Sequence, residues 1–235
     1  MKKLLGDVDR LLRGSLDGDP ASPAGPVSTV SSRLCMAALL LGVAYGVFMG
    51  LYAVLRAPAS GVPQLLATMA KVPLLFLLTL VVTFPSLYVF SALVDSPLRW
   101  GATARLLLAA IVVDLALVAS FGPITGFFTL STESYPFMIV LNVLFFALGG
   151  IAGLLFLYRV LNRVLAPVPG KDGQAATRSK RIFLAWIFIY AAVGAQMGWI
   201  LRPFIGSPNL PFSFFRARGS NFFEALLRTI GKLFS

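Results

Sequence analysis

The sequence predicts an all-α integral membrane protein: a bundle of about five transmembrane helices with amphipathic helices at its N- and C-terminal ends. Three observations carry this reading. Of the 235 residues, 58% are hydrophobic and only 12% charged, with mean hydropathy +0.87, whereas soluble domains carry roughly 25% charged residues. The apolar residues are gathered into a few long runs rather than scattered. Several of those runs approach the roughly 20 residues a helix needs to cross about 30 Å of hydrocarbon.

Residues 1–32 read as an amphipathic helix followed by a flexible linker. Leu4, Leu5, Val8, Leu11 and Leu12 share one helical face, with Lys2, Lys3, Arg10 and Arg13 elsewhere around it, the pattern of a helix lying in an interface or on a partner. The segment lacks the continuous apolar core of a signal peptide, so it is expected to be retained. Residues 14–32, rich in Gly, Ser, Asp and Pro, form the linker.

Residues 33–202 hold the expected bundle. The first span runs from about Leu34 to Leu55, with Gly42, Gly46 and Gly50 recurring every fourth residue, a spacing that lets another backbone approach closely. The second covers about Pro73 to Leu93, opened by Lys71 and kinked at Pro85, where a hydroxyl of Thr83 or Ser86 can bond a freed backbone group. The third, Ala102 to Phe121, contains Asp114 and ends at the Gly122-Pro123 pair. The fourth, Pro136 to Leu161, carries Asn142 and the Gly149/Gly153 pair. The fifth, Ile182 to Leu201, carries Gly194, Gln196 and Gly198. A polar, basic loop joins the last two spans. Residues 203–235 read as an irregular Pro/Phe-rich segment and a C-terminal amphipathic helix carrying Phe222, Phe223, Leu226, Leu227, Ile230, Leu233 and Phe234, with Asn221 and Glu224 at its start.

Basic residues orient the bundle. With five spans, thirteen Lys and Arg fall on the side of the N-terminus and seven on the other, which places the N-terminus in the cytoplasm. A re-entrant element at 203–215 is the alternative that would return the basic C-terminal tail to the cytoplasmic side. The excess of 20 Lys+Arg over 9 Asp+Glu is read as loops that meet membrane lipids through their anionic headgroups. No aromatic-basic module suggests nucleic acid as a partner.

Chemistry is sparse. The chain has no histidine and one cysteine, Cys35, so imidazole ligands, Ser-His-Asp or Cys-His devices and an internal disulfide are excluded. No cofactor or metal is called for, and no catalytic residue is assigned. The candidate site is an intramembrane polar cluster of Lys71, Asp114, Asn142, Gln196 and Arg202, placed at a common depth by the orientation above. An ionised group at the bilayer centre costs about 3 kcal/mol or more, so Asp114 is expected to face the bundle and pair with Lys71 or Arg202.

The stretch KVPLLFLLTLVVTFPSLYVFSALV (Lys71 to Val94), with its paired prolines, resembles a helix of bacterial Yip1-like membrane proteins. AQMGWILRPFIGSP (Ala195 to Pro208) resembles a segment of uncharacterised bacterial proteins of similar size. The resemblance implies a five-span bundle with cytoplasmic N-terminal residues and a role in membrane organisation, and transfers no functional residue.

The leading expectation is a non-enzymatic scaffold or accessory subunit of a membrane assembly, with a membrane-protein partner or a homo-oligomer. A small transporter, channel or lipid-handling protein built around Asp114 is second. An enzyme using Asp114 or Glu133, with Ser131, Thr132 and Tyr135 nearby, is third, because no nucleophile and base stand at a recognisable spacing. The missing signal peptide and the basic asymmetry suit a bacterial inner membrane.

Overall fold

The computed structural model describes residues 6, 9, 27–56, 61–93, 100–164, 173–206, 211–216 and 222–232. These form seven helices and no strand among the described residues: α1 Val27–Arg56, α2 Gly61–Leu93, α3 Trp100–Ser120, α4 Gly122–Ser131, α5 Tyr135–Val164, α6 Gly173–Ile200 and α7 Phe222–Gly231. Of the predicted N-terminal amphipathic helix only Gly6 and Asp9 are described, both helical, and the rest lies outside the described residues, as do Asn221, Leu233 and Phe234.

Among the described residues, four stretches are long and apolar enough to cross a membrane: Ser32–Arg56, Gly61–Ser86, Thr103–Ser131 and Tyr135–Val160. At 1.5 Å per residue each exceeds the ~30 Å of a hydrocarbon core. The expected fifth span is shorter in its apolar part, Leu184–Ile200, about 25 Å of helix.

Four boundaries differ from the sequence reading, each for a physical reason. First, α1 begins at Val27, immediately after Pro26, within what reads as linker. Second, α2 begins at Gly61, so Pro73 lies inside the helix and does not start it. A proline is tolerated there because neighbouring helices restore the packing and bonding it disrupts. Third, Gly122-Pro123 does not end the third span. Phe121 keeps helical dihedrals (φ −80°, ψ −5°), its N–H donates to the carbonyls of Val118 and Leu117 at 3.1 and 3.3 Å, and its own carbonyl accepts from Thr125 N–H at 3.0 Å. Pro123 occupies the first turn of α4, where its missing N–H costs nothing. Fourth, α6 starts at Gly173, so part of the expected loop, QAATRSKR, is helical, in keeping with its good helix formers.

The helices meet through small residues. α1 packs on α2, α3 and α4, α3 packs on α5, and α6 lies along α2. A Cβ added at Gly46 would meet Met69 Cα at 2.8 Å and the Thr68 carbonyl at 2.9 Å, and one at Gly42 would meet Pro73 Cβ at 2.9 Å. At Gly50 the obstacle is Leu65, with its Cα at 2.9 Å. Gly153 faces the Ala110 carbonyl in the same way, at 2.9 Å, and Gly149 would collide with Asp114 and Val118. The expected third glycine face is different: Gly194 and Gly198 leave ordinary van der Waals room, 3.6 Å to Thr79 and 3.9 Å to Leu75. They form no tight seam among the described residues.

The main core draws Tyr45, Tyr52, Val72, Val112, Leu115, Val118 and Met138 from α1, α2, α3 and α5. A second cluster joins Leu106, Leu107, Leu157 and Val160 to Trp186 of α6. Large apolar side chains such as Val81, Leu144, Ile151 and Phe188 point outwards, which would be costly in water and is the natural surface for lipid.

Candidate functional site

The polar residues separate into two places rather than one. Lys71 is not at the start of its helix but ten residues inside it, about 15 Å along the axis, and is fully buried. With Gln64 and Thr68 it forms an i, i+4, i+7 row on one face of α2. That row meets residues 201–206 and 211–216, an irregular strap following α6. Lys71 Nζ donates to the Pro203 carbonyl at 2.9 Å and to the Phe214 carbonyl, with the Phe214 ring centroid 4.5 Å away. Gln64 Nε2 donates to the carbonyls of Pro203 and Phe204 at 3.0 and 2.9 Å. The Thr68 hydroxyl lies 2.6 Å from the Phe204 carbonyl and 2.7 Å from that of Gln64, and Tyr135 donates to Ile205 at 3.3 Å.

This pattern has one cause. Irregular backbone away from water leaves carbonyls without partners, and such segments persist only where protein supplies donors. Four strap carbonyls find them on α2 and α5. Gly206 completes the seat, since a Cβ there would meet Ala53 Cβ at 2.7 Å. Leu201, Pro203, Ile205 and Gly206 are buried, so the boundary drawn at residue 203 divides residues that pack as one body. The Arg202–Pro203 peptide is cis.

Beside the strap lies a cavity of about 230 Å³. Its walls include Met49, Leu75, Ile139, Val143 and Phe146 from the bundle, and Phe222, Ala225, Leu226 and Thr229 from α7. The α7 residues stand at i, i+3, i+4 and i+7, one helical face laid over the opening. Arg202, stacked 3.6 Å from the Trp199 ring, and Arg216 also line it. Asn142 is in the wall and is held there: Tyr45 donates to its Oδ1 at 2.6 Å, and its Nδ2 donates to the Met138 carbonyl at 2.7 Å.

Asp114 is elsewhere. It is buried in the α3–α5 seam against Gly149 and Gly153, and its Oδ1 accepts no hydrogen bond. The expected partnership with Lys71 or Arg202 does not form: Lys71 is directed to strap carbonyls and Arg202 to the cavity. A space of about 20 Å³ beside Asp114, shared with Trp186 and Tyr190, is the size of one water molecule. Gln196 is half-buried on α6 and forms no hydrogen bond among the described residues. The structure thus brings Lys71, Asn142 and Arg202 to one region and leaves Asp114 and Gln196 outside it.

Near Pro85, Thr83 donates to Thr79 and Ser86 to Thr83, each at 2.7 Å, while the Trp186 indole donates to the Thr83 carbonyl at 3.3 Å and to the Ser86 hydroxyl at 3.2 Å. The stretch around this proline is therefore held by a neighbouring helix.

Sequence reasoning missed Gln64, Thr68 and Arg216, and it named Tyr135 only beside Glu133 in the enzyme reading, not as a donor to the strap. The signal for the first two was present in GVPQLLATMAK, where three polar residues fall on one helical face, but only once that stretch is taken as helix.

Among the described residues, the cavity wall contains no Asp, Glu or Cys. It offers guanidinium and hydroxyl donors over an apolar floor, which is the chemistry of binding. Comparison with protein-family models, with curated proteins and with solved structures finds no match.

Proposed function

We propose that this chain is a non-enzymatic polytopic membrane protein that acts as a scaffold or accessory subunit of a membrane assembly. In this reading it has five spans, with its N-terminus in the cytoplasm of a bacterial cell and its bundle in the inner membrane. The supporting observation is how its buried polar side chains are used. Tyr45 and Asn142 tie α1 to α5, Gln64, Thr68 and Lys71 tie α2 to the strap, and Trp186 ties α6 to α2. Groups engaged in this way fix helix positions. The test is gentle solubilisation from native membrane, native electrophoresis and mass spectrometry of co-migrating proteins. A discrete complex with stoichiometric partners supports the reading, and a lone monomer contradicts it.

A second reading, a small transporter, is favoured by the unbonded Asp114 Oδ1 and the water-sized space beside it, because an intramembrane acid marks ion or proton pathways in other proteins. Under that reading Asp114→Asn abolishes transport in reconstituted vesicles and leaves assembly intact. Transport unchanged by the substitution removes it.

A further inference from the structure

We infer that Asp114 is a proton-binding site in the α3–α5 seam: its carboxyl sits there in the neutral form, and releasing the proton requires the seam to open. Geometry carries this. Two glycines of α5 make the room that the carboxyl occupies. A Cβ added at Gly149 would collide with Asp114 Oδ1, and one at Gly153 would stand 3.1 Å from Asp114 Cβ. The residue is thereby enclosed, with 6% of its surface exposed, and Oδ1 has no hydrogen-bond partner. Glu133 and Glu224 form ion pairs with Arg56 and Arg228, whereas Asp114 forms none among the described residues. The wall beside it is apolar: α3 gives Leu107 and Ile111, α5 gives Leu154 and Leu157, and α6 gives Trp186 and Tyr190. Among its described residues there is no Lys or Arg, and Tyr190 is the one other titratable group. Helices α1, α2 and α4 also touch α3, but they put no described residue in that wall. The Trp186 indole N–H is committed to Thr83 and Ser86, and helical backbone groups are spent on their own turns.

An ionised carboxylate in such a place bears the full cost of lost hydration, since neither a counter-ion nor a donor offsets it. A bound proton removes that charge. The space of about 20 Å³ beside the carboxyl limits any ligand to the size of one water molecule. A metal cation is poorly served there, because hard cations take about six or more oxygen ligands. The side chains of the wall offer at most the carboxyl and one hydroxyl. A proton needs a single oxygen. The folded chain then holds a proton that the unfolded chain, with its carboxyl in water, has released at neutral pH. Stability therefore falls as pH rises, because the folded state binds more protons. The window runs from the ordinary carboxylate range, near about pH 4, to the pH at which the folded chain gives its proton up. Within it the unfolding constant rises about tenfold per pH unit. This holds for a scaffold and for a transporter alike, since it concerns what Asp114 binds and not what crosses the membrane.

The experiment uses the full chain in detergent, with infrared spectroscopy on isotope-labelled aspartate and reversible unfolding in mixed micelles as a function of pH. At neutral pH the spectrum should contain a protonated aspartate carboxyl that is lost in Asp114→Asn and in Asp114→Ala. The first variant keeps the shape without a titratable group, and the second brings no amide that needs a partner. Relative to either variant, the unmodified chain should lose about tenfold in its folding constant per pH unit above neutrality, until the proton is released. Replacing sodium with choline at constant ionic strength should change neither readout. A spectrum without protonated aspartate at neutral pH, or one unchanged by both substitutions, would overturn the proposal. So would a pH slope shared by all three chains, or a protonated carboxyl seen only when sodium is withdrawn, which would make the site one for a metal cation.

Discussion

Helix α2 makes two contacts of opposite design. Towards α1 it meets a seam from which side chains have been removed, with Gly42, Gly46 and Gly50 against Pro73, Met69 and Leu65. Towards the strap it presents polar side chains, Gln64, Thr68 and Lys71, each bonded to a strap carbonyl. The partner's backbone explains the difference. A helix has already satisfied its own N–H and C=O groups, so it asks only for close shape. An irregular segment has not, so it asks for donors. Burying Lys71 is therefore no anomaly, because its ammonium group serves two strap carbonyls, sharing Pro203 with Gln64 and supplying the donor to Phe214.

The largest expected effect lies on the glycine side. Gly46→Leu should destabilise the bundle by about 3 kcal/mol, because the obstacles are backbone atoms that cannot swing aside. Reversible unfolding in mixed micelles measures it, and a change below 1 kcal/mol would mean that the α1–α2 seam is loose in solution. On the strap side, Lys71→Met should cost about 2 kcal/mol, since the Phe214 carbonyl loses its donor while Pro203 keeps Gln64. Gln64→Leu should cost less, about 1 kcal/mol, because Lys71 and Thr68 still reach the same two carbonyls. If the two variants cost the same, the sharing of acceptors inferred from the geometry is wrong. Smallest of all, Gly198→Ala should be neutral or stabilising by up to about 1 kcal/mol, since the nearest atom is 3.9 Å away and alanine is the better helix former. A clear loss of stability, or of an assembly partner, would show that this glycine pair packs against another chain.

The helical class and four long apolar stretches were legible because hydrophobic length is set by the bilayer and needs no tertiary information. The tight seams at Gly42, Gly46, Gly50, Gly149 and Gly153 were legible from spacing, but the same spacing at Gly194 and Gly198 carries no close contact. Spacing reports that a face is small, and only the neighbour decides whether the room is used. The start of α2 was misread because Pro73 resembles a boundary, and that error moved Lys71 from the middle of a helix to its end. Its pairing was then expected with Asp114, on the argument that opposite charges in a membrane seek each other. The strap defeated that argument by supplying carbonyl oxygens, a kind of partner that no residue letter displays. Arg216 was invisible for a related reason, since its place at the cavity depends on the path of a segment without periodicity.

The account turns on the strap being held against α2 by Lys71. Its most direct measurement uses Phe204→Cys in a Cys35→Ser background, in nanodiscs, with a membrane-impermeant maleimide. Slow labelling that rises about tenfold or more when Lys71→Met is added is the expected result, corresponding to an opening free energy lowered by at least about 1.4 kcal/mol. Labelling that is equally fast with Lys71 present, or unchanged by its removal, would contradict the account.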